Sequence, residues 1–376
     1  MPEASERKHL ATAINYLGKL VSFDTTSRNS NLQLIEWVAE TLKPTGAILR
    51  LTYDDSRQKA NLVASFGPAT AGGIALSGHV DTVPVDGQQW STDPFALQEQ
   101  DGRLYGRGAV DMKGFLACAL SVLSDCNSGA FSKPLHLALS YDEEVGCFGV
   151  PHLIDGMIAD GLKPGMVIVG EPTEMGIADR HRGYLGFRAR FHGQAAHSSD
   201  PNKGINAIGA AARLATEVLR RQSSGEYREA GTTFNVGIIS GGTNTNIIPS
   251  SCDVHWEMRP GVMTDFEECR LSARELVNGV RGSTTCEQDE LIGIPPLRPF
   301  DENPAIALAL SAGGHLLPEG VPFGTEAGYF RNAGIATVVC GPGSILQAHK
   351  PDEWIAIDQI EKGIRFIQQI SKRQQS

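Results

Sequence analysis

With 376 residues, 41% of them hydrophobic and 20% charged, the chain is long enough for a large buried core, and no apolar run reaches the roughly 18 residues of a membrane helix. Its formal charge of -10 repels phosphate backbones and no concentrated basic patch offsets it, which excludes nucleic acid and leaves small molecules as the expected partners. Seven scattered cysteines without a CxxC pair exclude a disulfide framework and a thiolate metal site; with a start, Met1 to Lys8, that mixes both charge signs, they predict a cytoplasmic protein with reduced thiols.

Apolar residues at helical spacing predict two opening helices, Leu10 to Phe23 and Leu32 to Leu42, the second stopped by Pro44-Thr45-Gly46. Short β-prone runs follow at Ala60 to Phe66, Gly73 to Ser77, Leu135 to Ser140, Met166 to Val169 and Ala336 to Cys340. Such near-continuous apolar runs suit strands buried on both faces. Helix-like stretches between them, Met112 to Ser124 and Val150 to Ala159, give the alternation of an α/β sheet. The texture changes near Arg182. Alternation over Tyr184 to His192 predicts a sheet solvated on one face. A helix at Gly204 to Arg221, strands at Thr233 to Ile239 and Ser251 to Arg259, and a helix at Thr264 to Val280 then begin a split-βαβ layout. From about Pro299 the first texture returns, with helices at Pro304 to Ala312 and Asp358 to Lys372. The predicted organisation is a domain formed by residues 1–181 and 295–376, interrupted by an inserted domain at 182–294.

Four predicted strand ends carry histidine or carboxylate. His79 and Asp81 follow the first; being two apart they point to one side, so that one can bind a metal while the other orients it. Asp142, Glu143 and Glu144 come off the second, and three adjacent carboxylates repel one another unless a cation compensates them; an isolated acidic run is otherwise a solvated loop. Glu171 follows the third and His349 lies in a Gly/Pro-rich loop past the fourth. Ligands in open α/β sheets sit beyond the carboxyl ends of the strands, so these groups are expected to converge. Asp111, in the glycine-rich turn Gly106 to Gly114, reads either as a helix N-cap, stabilising by about 1 kcal/mol, or as a carboxylate shared by two metals. Two histidines and three carboxylates without cysteine match the ligand preference of zinc.

His197 lies in a small, polar loop of the inserted domain and can donate a hydrogen bond to a reacting oxyanion. Arg259 reads equally as a surface cation or as a bidentate carboxylate clamp. The histidines at 9, 136, 152, 181, 192, 255 and 315 show no ligand spacing and read as structural.

Gly78-His79-Val80-Asp81-Thr82-Val83-Pro84, Gly108-Ala109-Val110-Asp111-Met112-Lys113-Gly114, Asp142-Glu143-Glu144 and Gly170-Glu171-Pro172-Thr173 resemble the motifs of the M20 family of dinuclear zinc aminopeptidases and deacylases. The resemblance covers nearly the whole chain. It implies an α/β, mixed-sheet zinc-peptidase-like catalytic domain with an inserted ferredoxin-like α+β domain serving as lid and dimerisation surface. It also implies two Zn2+ ions, with Co2+ as an alternative loading: Asp111 bridging, His79 and Glu171 completing one site, Glu144 and His349 the other. Glu143 becomes the general base, with Asp81 and His197 in catalytic roles. A cis Asp111-Met112 peptide and a homodimer through the lid, in which His197 reaches the partner's site, come with the family. Trp90-Ser91-Thr92-Asp93-Pro94-Phe95, Gly324-Thr325-Glu326-Ala327 and the run Gly341 to Glu353 are similar to signatures of its deacylases. These imply a small N-acyl amino acid as substrate, touched by Arg259, Asn244, Thr325 and Glu326, the last matched to a cationic side chain.

Overall fold

The computed structural model describes residues 2–224 and 231–375. The chain folds as two compact units, one made of Met1–Arg180, Pro299–Val321 and Thr325–Ser376, the other of His181–Arg298 and Pro322–Gly324. No helix among the described residues is long and apolar enough to cross a membrane.

The first unit is built on a six-stranded mixed sheet in the order Ile48–Tyr53, Ala60–Phe66, Leu135–Ser140, Ile74–His79, Met166–Pro172, Ala336–Gly341. The last four strands run parallel to one another, and the first two pair antiparallel. Ala60–Phe66, Ile74–His79, Leu135–Ser140 and Ala336–Gly341 are buried at every position, which is why their sequences read as unbroken apolar runs rather than alternating ones. The edge strand Ile48–Tyr53 has no fully buried residue, and its sequence gives no such signal. The helix Lys113–Leu123 is buried along its whole length and apolar but for Lys113 and Ser121, which donate to the Phe23 and Cys118 carbonyls. Helices Pro2–Val21 and Ile357–Gln375 add Leu17, Leu20, Ile364 and Phe366 to the same core. The first of them starts well before Leu10, because its opening turns, exposed at Glu6, Arg7 and Lys8, carry no apolar stripe to mark them.

The second unit is a four-stranded antiparallel sheet ordered Thr233–Gly241, Ser251–Arg259, Tyr184–His192, Thr285–Ile294. Helices Ala207–Ser224 and Phe266–Val280 share a core with it through Leu214, Val218, Ala273 and Leu276. Alternate residues of the central strands, Leu185, Phe187, Ala189 and Phe191, supply the sheet's side of that core, with Phe187 stacked on Trp256 at 4.8 Å. The last strand completes a ferredoxin-like βαββαβ order. Its polar start, Thr285-Cys286-Glu287-Gln288-Asp289-Glu290, hides it in the sequence; Asp289 pairs with Arg188, and Glu290 pairs with Arg270 at 2.8 Å. The fold class is therefore mixed α/β with an inserted α+β unit.

Two buried histidines make the fold sensitive to acid. His136, inside a central strand, meets Ser65 Oγ through Nδ1 at 2.9 Å, and its Nε2 has no hydrogen-bond partner among the described residues. Burial, helped by the Arg50 charge, pushes its pKa down to about 4; burial does the same to His181, against the pull of the Arg182 carbonyl. An unfolded histidine binds its proton near pH 6.5, whereas these resist until about 4. Their contribution is therefore complete above pH 6.5 and is lost as the pH falls toward 4, by about 3 kcal/mol for each. Urea unfolding of the chelated protein between pH 7 and 4 measures this slope. His136→Gln should remove one histidine's share, and a slope equal to the parent's would refute the assignment.

Candidate metal centre

Because the last four strands of the sheet are parallel, their carboxyl ends share one rim, with His79 level with Ser140 and Gly341 level with Pro172. Each chain turns polar at that rim: His79 ends its strand, Glu171 lies at the end of the next, and Glu143, Glu144 and His349 follow in the loops. Asp111 arrives on the loop before the buried helix. The N-cap of that helix is Met112, without a side-chain capping bond, so the N-cap reading of Asp111 is overturned. The Asp111-Met112 peptide is cis. Gly108 opens the loop with a φ of 78°, where a Cβ would lie 2.7 Å from Thr82.

The two oxygens of Asp111 face different partners. Oδ1 lies 3.1 Å from His79 Nε2, and Oδ2 lies 3.2 Å from His349 Nε2. Glu171 Oε1 is 3.9 Å from the same nitrogen of His79, and Glu144 Oε2 is 3.0 Å from that of His349. One carboxylate thus spans two histidine-carboxylate pairs. The far nitrogen of His79, Nδ1, is held by the Asp81 main-chain carbonyl at 3.0 Å, with the Asp81 carboxylate at 3.5 Å. The carboxylate does other work: it accepts from Ser27 Oγ and from the backbone N–H groups of Glu143 and Glu144, tying the acidic turn to His79. Asp142 turns away and pairs with Lys59, Nζ to Oδ2 at 2.7 Å, so only two of the three adjacent carboxylates reach the centre. Glu143 accepts from Cys147 Sγ at 3.5 Å.

The charge balance of this cluster is unusual. Burial disfavours ionisation of Glu143 and Glu144, and neighbouring carboxylates add to it, bringing Glu143 up to about 8 and Glu144 to about 7. Burial and Asp111 raise Glu171 well above the ordinary carboxylate range. Hydrogen bonds to Asp111 and Glu144 raise His349 to about 10; His79, despite burial, is held well above the usual histidine value by Asp111 and Asp81. Buried acids this close together demand positive charge. A donor set of imidazole and carboxylate, without thiolate, suits a borderline divalent ion. Ligand atoms of His79, Asp111 and Glu144, and of His79, Glu143 and Glu171, each lie within 4.8 Å of one another, so the centre can hold metal. The side chain of His349 is 53% exposed, which leaves the centre open to solvent on that side.

Other expected site residues are placed differently. Thr325 and Glu326 are fully buried in the first unit. Thr325 Oγ1 accepts from the Ala327 N–H at 3.1 Å. Glu326 takes hydrogen bonds from Ser77 Oγ on one oxygen and from Ser140 Oγ, at 2.6 Å, on the other. Two of the strands that end at this rim therefore lean on this carboxylate. His197, Asn244 and Arg259 belong to the second unit. There His197 is exposed, its Nδ1 2.8 Å from Ser199 Oγ, and its loop pairs with that of Asn244 through the Ser198 N–H to Asn246 carbonyl bond of 3.0 Å. Arg259 lies over the Tyr184 ring at 3.6 Å and pairs with Glu257 at 3.2 Å. Sequence reasoning missed Ser27, Lys59, Ser77 and Ser140, whose roles come from partners far along the chain, and Cys147, which meets Glu143 within one turn.

Fold and relatives together define a hydrolase with a carboxylate-histidine centre. The chain belongs to peptidase family M20/M25/M40, which it matches over residues 75–373. It is 35% identical over 344 residues to a protein named acetylornithine deacetylase from Edwardsiella ictaluri (strain 93-146), covering 88% of this chain and 87% of that one. An M20 family metallo-carboxypeptidase from Sulfolobus solfataricus superposes with a TM-score of 0.77 at 17% identity, over 96% of this chain and 98% of that one. A dinuclear metal-binding M20 peptidase from Bacillus subtilis gives 0.69 at 14%, over 97% and 98%. The last two bear on the fold.

Proposed function

We propose that this hydrolase binds two divalent ions, Zn2+ with Co2+ as an alternative, and cleaves N2-acetyl-L-ornithine to L-ornithine and acetate, a step of arginine biosynthesis. The observation that carries the metal reading is the placement of Asp111, one oxygen toward His79 and Glu171, the other toward His349 and Glu144. The substrate reading is supported by the relative's name and by the signature runs around Thr325 and His349. Bound metal supplies Lewis acidity and lowers the pKa of water to about 7. Glu143 takes the proton of the attacking water and returns it to the leaving amine. Asp81 fixes the His79 ring. His197 donates to the developing oxyanion, and Arg259 and Asn244 receive the α-carboxylate. Thr325 and Glu326 are the remaining substrate contacts of this reading, Glu326 matched to the cationic side chain. In this reading the second unit is the lid and the homodimer surface, and the enzyme works in the cytoplasm.

Initial rates of the zinc-loaded enzyme on N-acetylornithine, N-succinyl-diaminopimelate, N-acetylmethionine and a dipeptide, with a chelated control, test it. The expected result is a strong preference for N-acetylornithine that vanishes on chelation. Preference for the succinyl substrate would make the chain a desuccinylase, and a broad profile a general N-acyl amino acid deacylase or dipeptidase. Rates indifferent to chelation would defeat the metal reading.

A further inference from the structure

We infer that Glu353 is a positioning residue: with Arg107 it forms a buried clamp that joins the loop presenting Asp111 to the loop presenting His349. Glu353 stands four residues past His349, and its side chain and that of Arg107 are each 1% exposed. Its Oε1 accepts from the backbone N–H groups of Val110 at 2.9 Å and Asp111 at 3.1 Å. Its Oε2 accepts from the Gly108 N–H at 3.0 Å and from Arg107 Nη1 at 2.7 Å. The main chain answers in kind, Gly106 N–H donating to the Glu353 carbonyl at 2.9 Å. One carboxylate therefore satisfies three amides of the Asp111 loop that would otherwise be buried without partners.

Arg107 carries the connection onward. Its Nη2 donates to Gln88 Oε1, its guanidinium lies 5.0 Å from the centroid of the Trp90 ring, and Gln88 Nε2 donates to the His349 carbonyl at 3.0 Å. His349 sits at a φ of 63°, in the left-handed region, so its backbone needs outside support to stay there. Asp352 adds a second tie, Oδ1 accepting from the Ser91 N–H at 2.8 Å. An apolar pair of the same volume could join the segments as firmly but would strand the amides; a buried ion pair contributes little to stability and more to a defined geometry. What it defines here is the placement of Asp111 opposite His349, whose facing atoms are 3.2 Å apart. Residues that orient a ligand without touching the metal typically change affinity by about 10–100-fold when replaced.

The metal arm of this inference rests on the proposed reading of Asp111 as a bridge; the clamp itself does not. In Glu353→Gln the amide nitrogen would face donors that now meet an oxygen. In the metal-free protein, hydrogen exchange at amides 108, 110 and 111 should accelerate at least about tenfold, with the strand Leu135–Ser140 unchanged. In the holoenzyme, zinc should bind about 10–100-fold more weakly. Activity at saturating zinc should fall in kcat with KM held. Gln88→Ala, which removes the link to His349 together with the acceptor of Arg107 Nη2 and Trp90 Nε1 but leaves every bond to Glu353 in place, should weaken zinc in the same direction and decides the matter if Glu353→Gln does not fold. Unchanged exchange at those amides, exchange accelerated evenly through the first unit, or unchanged zinc affinity in Gln88→Ala would each overturn the clamp. A parent protein that binds no zinc but shows the local exchange change in Glu353→Gln would refute the metal reading and keep the clamp.

Discussion

Glu143→Gln is expected to lower kcat by about 10²–10⁴-fold, the usual worth of a positioned general base, while metal content stays at the parent value. The replacement is nearly isosteric, and the backbone N–H of residue 143 still reaches Asp81 Oδ1, at 3.0 Å in the parent, so the acidic turn keeps its shape. What is lost is the ability to take up and release a proton. In the metal-free protein burial first, then Glu144, Asp111 and Asp81, bring the carboxyl up to about 8 against the opposing charge of His79, and bound cations would lower it. The geometry also offers Glu143 a ligand's role, since its oxygen clusters with atoms of His79 and Glu171. Metal analysis separates the two roles. Lost turnover with retained metal identifies a base, lost turnover with lost metal identifies a ligand, and retained turnover removes Glu143 from the chemistry.

The parts of this molecule legible in its sequence are those whose cause is local. Ala60–Phe66 and Leu135–Ser140 are buried on both faces, so an apolar run marks each of them along its whole length. His79 and Glu171 stand out because a polar residue ends such a run. Ile48–Tyr53 and Thr285–Ile294 are partly solvated strands, and nothing in a window of a few residues separates them from loop. The supports of the centre are hidden for a different reason. Arg107 and Glu353 are 246 residues apart, Lys59 and Asp142 are 83 apart, and Ser77 and Glu326 are 249 apart. A pairing of that kind exists only after the fold has brought the segments together. Glu326 shows the same limit: a motif locates the residue, whereas its burial against Ser77 and Ser140 is a property of the sheet.

Asp111→Asn should be the more damaging change, because it removes half of what each proposed metal site shares. In the parent, burial opposes the charge on Asp111, yet hydrogen bonds from His349 and His79 hold its carboxyl well below the ordinary range, so it stays anionic through any working pH. Asparagine keeps the shape but offers one neutral oxygen and one amide nitrogen, so one of the two histidine-carboxylate pairs would face a donor. Residues that merely orient a metal ligand cost about 10–100-fold in affinity, and a shared ligand should cost at least the upper figure at each ion. The variant should therefore leave a desalting column with fewer than two ions per chain and with turnover near background, even where Glu143 is intact. The chelated protein gives an independent reading of the same residue. His349 is raised to about 10 by its bonds to Asp111 and Glu144, so removing one of those anions should lower its pKa, a shift visible in the imidazole proton resonances. Because a raised histidine stabilises the fold below its unfolded pKa and loses that contribution as the pH climbs through the folded value, Asp111→Asn should move the loss to lower pH. Two bound ions, full turnover and an unmoved His349 titration in this variant would together remove Asp111 from the bridging position.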